Sequence, residues 1–170
     1  MHYQISITRF LSLAGILLCN LCMAQNIKVV EKTKIYRQEI KKDTNYLMLE
    51  LKKNMPQIMY DLRYATNNNF TDTQLYVQGS HTFLRLPAAK ALKAAGEILH
   101  EKGLGFKIFD AYRPFSVTKK MWEIIRDERY VADPAKGSGH NRGLSVDLTL
   151  INLSDGRELD MGTGFDSFTD

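Results

Sequence analysis

Hydrophobic positions recur at helical spacing in "PAAKALKAAGEILHEKG", residues 87–103. Ala88, Ala91, Leu92, Ala95, Ile98 and Leu99 fall on one face, which predicts an amphipathic helix. Pro87 suits its first turn and Gly103 its end. A second helix is expected from Pro114 to about Tyr130, with Val117, Met121, Ile124 and Ile125 turned inward. The short apolar run "GFKIFDAY" between them reads as a buried strand. Upstream, "PQIMYDLRYATNNNF" predicts a strand from Ile58 to Tyr64 that ends in an asparagine-rich turn.

Downstream the period changes from helical to alternating. In "GLSVDLTLI", Leu144, Val146, Leu148 and Leu150 point one way and Ser145, Asp147 and Thr149 the other. The apolar set is expected to face the core. The following "SDG" is a turn that should bring the chain back antiparallel. Residues 25–45 are charged and weakly patterned, and read as a lead-in to a domain spanning 46–170. The predicted class is α+β, with a central antiparallel sheet flanked by helices.

The first 24 residues are of another kind. Arg9 precedes the uncharged run "FLSLAGILLCNLC", which is short for a membrane span. "CMA" places small residues ahead of Gln25. This is the pattern of a secretory signal cleaved after Ala24, the alternative being an uncleaved anchor. The expected destination is the periplasm or cell envelope, with no stable membrane insertion after cleavage. Both cysteines, Cys19 and Cys22, would leave with the signal. That excludes a disulfide framework, a thiol enzyme and a cysteine-ligated zinc site from the mature protein. With 44% hydrophobic and 25% charged residues, the chain has material for a core. A formal charge of +4, with acids and bases dispersed, gives no nucleic-acid stripe.

Two stretches carry candidate chemistry. "GSGHNRGLSVDLTL", residues 137–150, presents His140 from a small-residue loop and Asp147 from the polar side of a strand. An imidazole and a carboxylate converging in this way could ligate zinc, and Gly143 would let the backbone turn closely between them. Equally, His140 could be a surface residue and Asp147 a hydrogen-bonded one. "FDAYRP" puts Asp110, Tyr112 and Arg113 at a strand–helix junction. Arg113 could hold a carboxylate or an oxyanion, or simply pair with Asp110.

Together these motifs resemble the D-alanyl-D-alanine dipeptidases, the VanX-like branch of the zinc D,D-peptidases. "YDLRYATNNNF" is similar to that family's first strand and turn, and "DAYRP" to its arginine motif. "SGHNRGLSVDLTL" is similar to its S-x-H-x-x-G-x-x-x-D metal motif, and "MGTGFD" to the segment that follows. The resemblance implies a Zn2+ cofactor with His140 and Asp147 as two of its ligands. It implies that Arg113 stabilises the tetrahedral intermediate, Ser138 binds the substrate carboxylate, and Asp166 binds its amino group. It also places Tyr64 in the pocket. The implied partner is a small dipeptide, D-Ala-D-Ala, in cell-wall metabolism or glycopeptide resistance.

The family's third zinc ligand and general base lie in a later E-x-x-H motif, for which the chain is expected to hold no counterpart. His81 and His100 are poor substitutes, so the last part of the sheet and site is expected to be missing and the chain as written inactive. A non-catalytic binding module, or a D,D- or L,D-carboxypeptidase acting on longer wall peptides, is the alternative. Export is directly measurable: mass spectrometry of the secreted protein should find Gln25 at its N-terminus, and an intact Met1 on a membrane-bound protein would contradict the signal.

Overall fold

The computed structural model describes residues 27–77 and 81–168. The segment expected to be a secretory signal, with its two cysteines, lies outside the described residues. Among those described, no helix is long and apolar enough to cross a membrane.

The lead-in is more ordered than its pattern suggests. It forms helix α1 (Thr33–Lys42), followed by a single 3-10 turn at Thr44–Tyr46. The Tyr36 hydroxyl on α1 accepts the N–H of Met48 at 2.7 Å, tying the helix to strand β1 (Met48–Glu50). A one-turn helix, α2 (Leu51–Asn54), leads to a two-residue strand, β2 (Met59–Tyr60). The strand predicted from Ile58 to Tyr64 therefore stops early, because Arg63–Ala65 curl into a 3-10 turn. That turn buries Tyr64 instead of leaving it in a sheet.

Strand β3 (Phe83–Arg85) runs directly into helix α3 (Leu86–His100), and Pro87 sits in its first turn as expected. The buried stripe of α3 is rotated from the predicted one. Ala89 and Leu92 are in the core, while Ile98 is 58% exposed. Gly96 faces the same side as Ala89 and Leu92, where a Cβ would make an ordinary 3.4 Å contact with the Phe106 ring of the sheet. Strand β4 (Leu104–Asp110) is followed by helix α4 (Phe115–Ile124), shorter than predicted, which buries Val117, Thr118 and Met121. Ile124 of the expected inner face is exposed. A long loop then reaches strand β5 (Asp147–Asn152).

The class is α+β, and its pairing is mixed. β1 and β3 form an antiparallel pair; β2, β4 and β5 form a second sheet in that order. β4 and β5 are antiparallel, as predicted, but β2 runs parallel to β4. The turn after β5 does send the chain back: Ile151 pairs antiparallel with Glu158, and the Leu159 N–H donates to Leu150 at 2.8 Å.

Two apolar clusters meet at the sheet. One gathers Leu51, Met55, Leu84, Leu92, Phe106 and Ile108, with Leu148 and Leu150 of β5 packed against it. The predicted parity of β5 is thus realised for these two leucines, whereas Leu144, ahead of the strand, is 51% exposed. The other cluster joins Tyr64, Val117, Met121 and Val131, with Tyr76 and Phe165 at its edge. Each side chain buried here contributes roughly 1.5–3 kcal/mol of transfer free energy, so the two clusters hold the strand ends firmly in place.

Gly143 marks where backbones crowd. Its φ is +66°, and its carbonyl accepts the Arg85 N–H at 2.8 Å. A Cβ would lie 2.7 Å from the Met48 side chain and 3.3 Å from the Arg85 nitrogen. Gly143→Ala should therefore lower unfolding stability by roughly 1–3 kcal/mol, through a left-handed alanine and a forced displacement. Urea denaturation measures this; an unchanged midpoint would show that the contact is soft.

Candidate active site

The site begins at an irregularity in the sheet. β4 and β5 pair regularly from Leu104↔Asn152 to Ile108↔Leu148, then slip, so that Asp110 stands opposite Asp147. Two carboxylates facing each other repel, and like charges across a strand pair are destabilising. The chain answers with two cationic or polar groups, one from the turn after β4 and one from the loop before β5.

Arg113 comes from the turn after β4. Its Nε and Nη2 both donate to Asp110 Oδ2, at 3.0 and 2.8 Å, and Nη2 is 3.6 Å from Asp147 Oδ2. Asp110 is fully buried, and its Oδ1 accepts the Tyr76 hydroxyl at 2.7 Å. Burial raises the Asp110 pKa, while Arg113, His140 and the tyrosine hydroxyl pull against that rise. Burial opposes the charge of Arg113 too, but the Asp110 carboxylate prevails and its pKa is raised. The guanidinium also lies over the Tyr64 ring, 5.0 Å from its centroid.

His140 comes from the loop before β5. Its Nδ1 is 2.8 Å from the Ala111 carbonyl, which can only accept, so Nδ1 carries the proton. Nε2 is then the free lone pair, and it faces Asp147 Oδ1 at 3.4 Å. Burial opposes charging of the ring, yet Asp147 beside Nε2 leaves its pKa raised. The loop itself is stapled. Ser138 and Asn141 exchange reciprocal 3.1 Å bonds, and Asn141 Nδ2 donates to the Arg113 carbonyl and to Thr118 Oγ1, each at 2.8 Å. The His140 carbonyl accepts the Arg113 N–H at 3.2 Å, so the two motifs are joined through their backbones as well.

Asp110, His140 and Asp147 form a group of side chains that could hold a metal ion. Their roles in it are unequal. Asp110 has both oxygens engaged and lies on the Nδ1 side of the imidazole, 3.7 Å away. Two donors on one tetrahedral metal, at bond lengths of about 2.0–2.1 Å, stand about 3.3 Å apart. His140 Nε2 and Asp147 Oδ1 match that spacing, and the hydrogen-bonded Nδ1 is the usual support behind a ligating histidine. These two residues fit a metal; Asp110 supports them.

The pair opens on a cavity of about 700 Å³ that Arg113, Tyr64, Ser138 and Asp166 also line. The Tyr64 hydroxyl donates to both oxygens of Asp166, at 3.2 and 3.0 Å. Burial raises the Asp166 pKa, and Tyr64 partly offsets it. The six residues to which the resemblance gave site roles therefore line one cavity, whereas Asp110 and Tyr112 do not. His81 does not: it pairs with Glu50 near β1 and is exposed. The expectation of no E-x-x-H spacing is corrected by Glu97 and His100, which have it; both are exposed on α3 and neither lines the cavity. Tyr76 and Asn141 are contributors that sequence reasoning missed. Asn141 lay inside the histidine motif; Tyr76 carried no local signal, because its partner is 34 residues away.

The family model described as D-ala-D-ala dipeptidase matches residues 44–170. The chain belongs to this family. Among its relatives, the D-alanyl-D-alanine dipeptidase of Escherichia coli (strain K12) is 37% identical over 119 residues, covering 70% of this chain and 61% of the relative. Those of Enterococcus faecium and Streptomyces coelicolor are 29% and 33% identical, each covering 64% of this chain and 63% of the relative. The chain thus spans somewhat over three-fifths of the length of these dipeptidases.

Within this dipeptidase-family site, the buried Arg113–Asp110 pair is the vulnerable element. Asp110→Ala leaves a buried guanidinium without its main counter-charge and should cost about 3–5 kcal/mol. Chemical denaturation of the variant measures this, and a loss under about 1 kcal/mol would mean that Asp147 takes over the pairing.

Proposed function

We propose that this chain supplies two metal ligands and the oxyanion-stabilising arginine of a site for zinc-dependent hydrolysis of the dipeptide D-Ala-D-Ala in the cell envelope. One observation carries the reading: His140 is held by Ala111 so that its Nε2 faces Asp147 Oδ1 at 3.4 Å, with Arg113 beside them on one cavity wall. The family match supports the substrate class.

In this reading His140 and Asp147 hold the zinc, which when bound supplies a Lewis acid and a water of lowered pKa. Arg113 places a fixed positive charge where the scissile carbonyl would develop negative charge. Its pairing with Asp110 leaves the guanidinium oriented before substrate arrives, so little reorganisation is needed during the reaction. Asp166 receives the substrate's ammonium group. It is already raised in pKa by burial and by the nearby Asp147 charge, and an arriving cation opposes that rise by stabilising the carboxylate. The Ser138 oxygen accepts the Asn141 N–H, which leaves the hydroxyl proton to donate to the substrate carboxylate. Tyr64 positions Asp166 and walls the pocket. A carboxylate for one end of the ligand and a hydroxyl donor for the other favour a free dipeptide over a longer chain.

The test uses the full-length protein. Zinc content should be stoichiometric by elemental analysis and should vanish in His140→Ala. Release of D-alanine from D-Ala-D-Ala should fall about 100-fold or more in kcat for Arg113→Lys, with KM changed far less. Zinc that survives His140→Ala would remove this residue from the ligand set. Zinc uptake without D-alanine release would make the protein a non-catalytic binder.

A further inference from the structure

The Arg113–Asp110 contact is not the one these groups prefer. A guanidinium and a carboxylate usually meet edge to edge, with two parallel bonds to two oxygens. Here Nε and Nη2 both converge on Oδ2, at 3.0 and 2.8 Å. Oδ1 is turned away and accepts the Tyr76 hydroxyl at 2.7 Å. The terminal carboxylate torsion of aspartate is soft, so packing about the bond does not set this orientation by itself.

Tyr76 is itself well held. Its backbone N–H donates to the Tyr64 carbonyl at 2.8 Å, and its ring meets the Tyr64 ring edge-on at 5.9 Å between centroids. Burial keeps its phenol protonated, and so a donor. Nothing in the proposed chemistry uses that hydroxyl directly: Tyr76 is outside the residues that line the cavity.

We infer that Tyr76 is a positioning residue: by holding Asp110 Oδ1 it keeps the carboxylate from turning edge-on to Arg113, and so keeps the guanidinium extended toward Asp147 and the cavity. The consequence for hydrolysis rests on the role proposed above for Arg113; the positioning itself does not. Without the hydroxyl, Asp110 can rotate, present both oxygens and draw the guanidinium back. A displacement on the order of 1 Å at a group that meets developing charge costs up to about 100-fold in rate.

The experiment is Tyr76→Phe, which removes the hydroxyl and keeps the ring. The first measurement needs no turnover. The Nε–H resonance of Arg113 in the full-length protein should shift and exchange faster with solvent in the variant, with zinc bound or removed, while the melting temperature stays near wild type. The second is kinetic. kcat on D-Ala-D-Ala should fall about tenfold or more, with KM little changed. In an Arg113→Lys background the same substitution should cost less than about twofold, because its target is gone. Should Tyr76→Phe fold poorly, p-aminophenylalanine at position 76 keeps a donor of the same reach and should preserve the Arg113 signal. An unmoved Arg113 resonance overturns the inference whatever the substrate proves to be. Equal losses in both backgrounds would overturn it as well, showing a role independent of Arg113. Absence of dipeptide hydrolysis by wild type would instead count against the proposed function and leave the resonance test standing.

Discussion

Two aspartates facing each other across the end of a strand pair organise this molecule. The slip between Ile108 and Asp110 sets Asp110 opposite Asp147, one buried and one part-exposed to the cavity. Left alone, the two charges would repel in surroundings that screen poorly. Arg113 and His140 sit between them, each within 4 Å of both carboxylates. The four groups therefore require one another. The strand irregularity creates a demand for positive charge or metal, and the two adjoining loops supply the groups that answer it.

The supporting structure divides the labour. Asp110 is held by Arg113 and the Tyr76 hydroxyl and has no free oxygen. Asp147 is left open toward the cavity, with His140 Nε2 aimed at the same space. Asn141 fastens the histidine loop to the Arg113 carbonyl and to α4, and Gly143 lets that loop pass under Arg85. Backbone groups do much of this fixing. The Ala111 carbonyl selects the His140 tautomer, and the His140 carbonyl receives the Arg113 N–H. Such bonds depend on where the chain runs, and they tolerate side-chain change nearby.

The elements with strong local patterns were legible in advance. The first turn of α3 around Pro87, the buried strand before Arg113 and the core-facing Leu148 and Leu150 follow from proline chemistry and hydrophobic period. The gathering of Arg113, Ser138, His140, Asp147, Asp166 and Tyr64 in one cavity was reachable because the motifs occur together and in order. Less was legible where contacts are long-range. The lead-in folds as α1 because Tyr36 reaches Met48, and the strand through Tyr64 gives way to a 3-10 turn because Tyr64 is drawn into the second cluster. The inner face of α3 runs through Ala89 and Leu92, because the sheet that covers the helix, at Phe106, comes from elsewhere in the chain.

By itself the sequence determined which chemistries are available: an imidazole and a carboxylate seven residues apart, an arginine at a strand end, and no cysteine beyond position 22. Local pattern also determined that Asp147 would leave the leucine face of its strand, since alternate residues must point to opposite sides. Only the tertiary structure decided that Asp110 is a support and Asp147 an open donor. Both are aspartates at strand ends, and nothing local separates them. The difference lies in burial and in Tyr76, which arrives from 34 residues away to close one carboxylate and leave the other free.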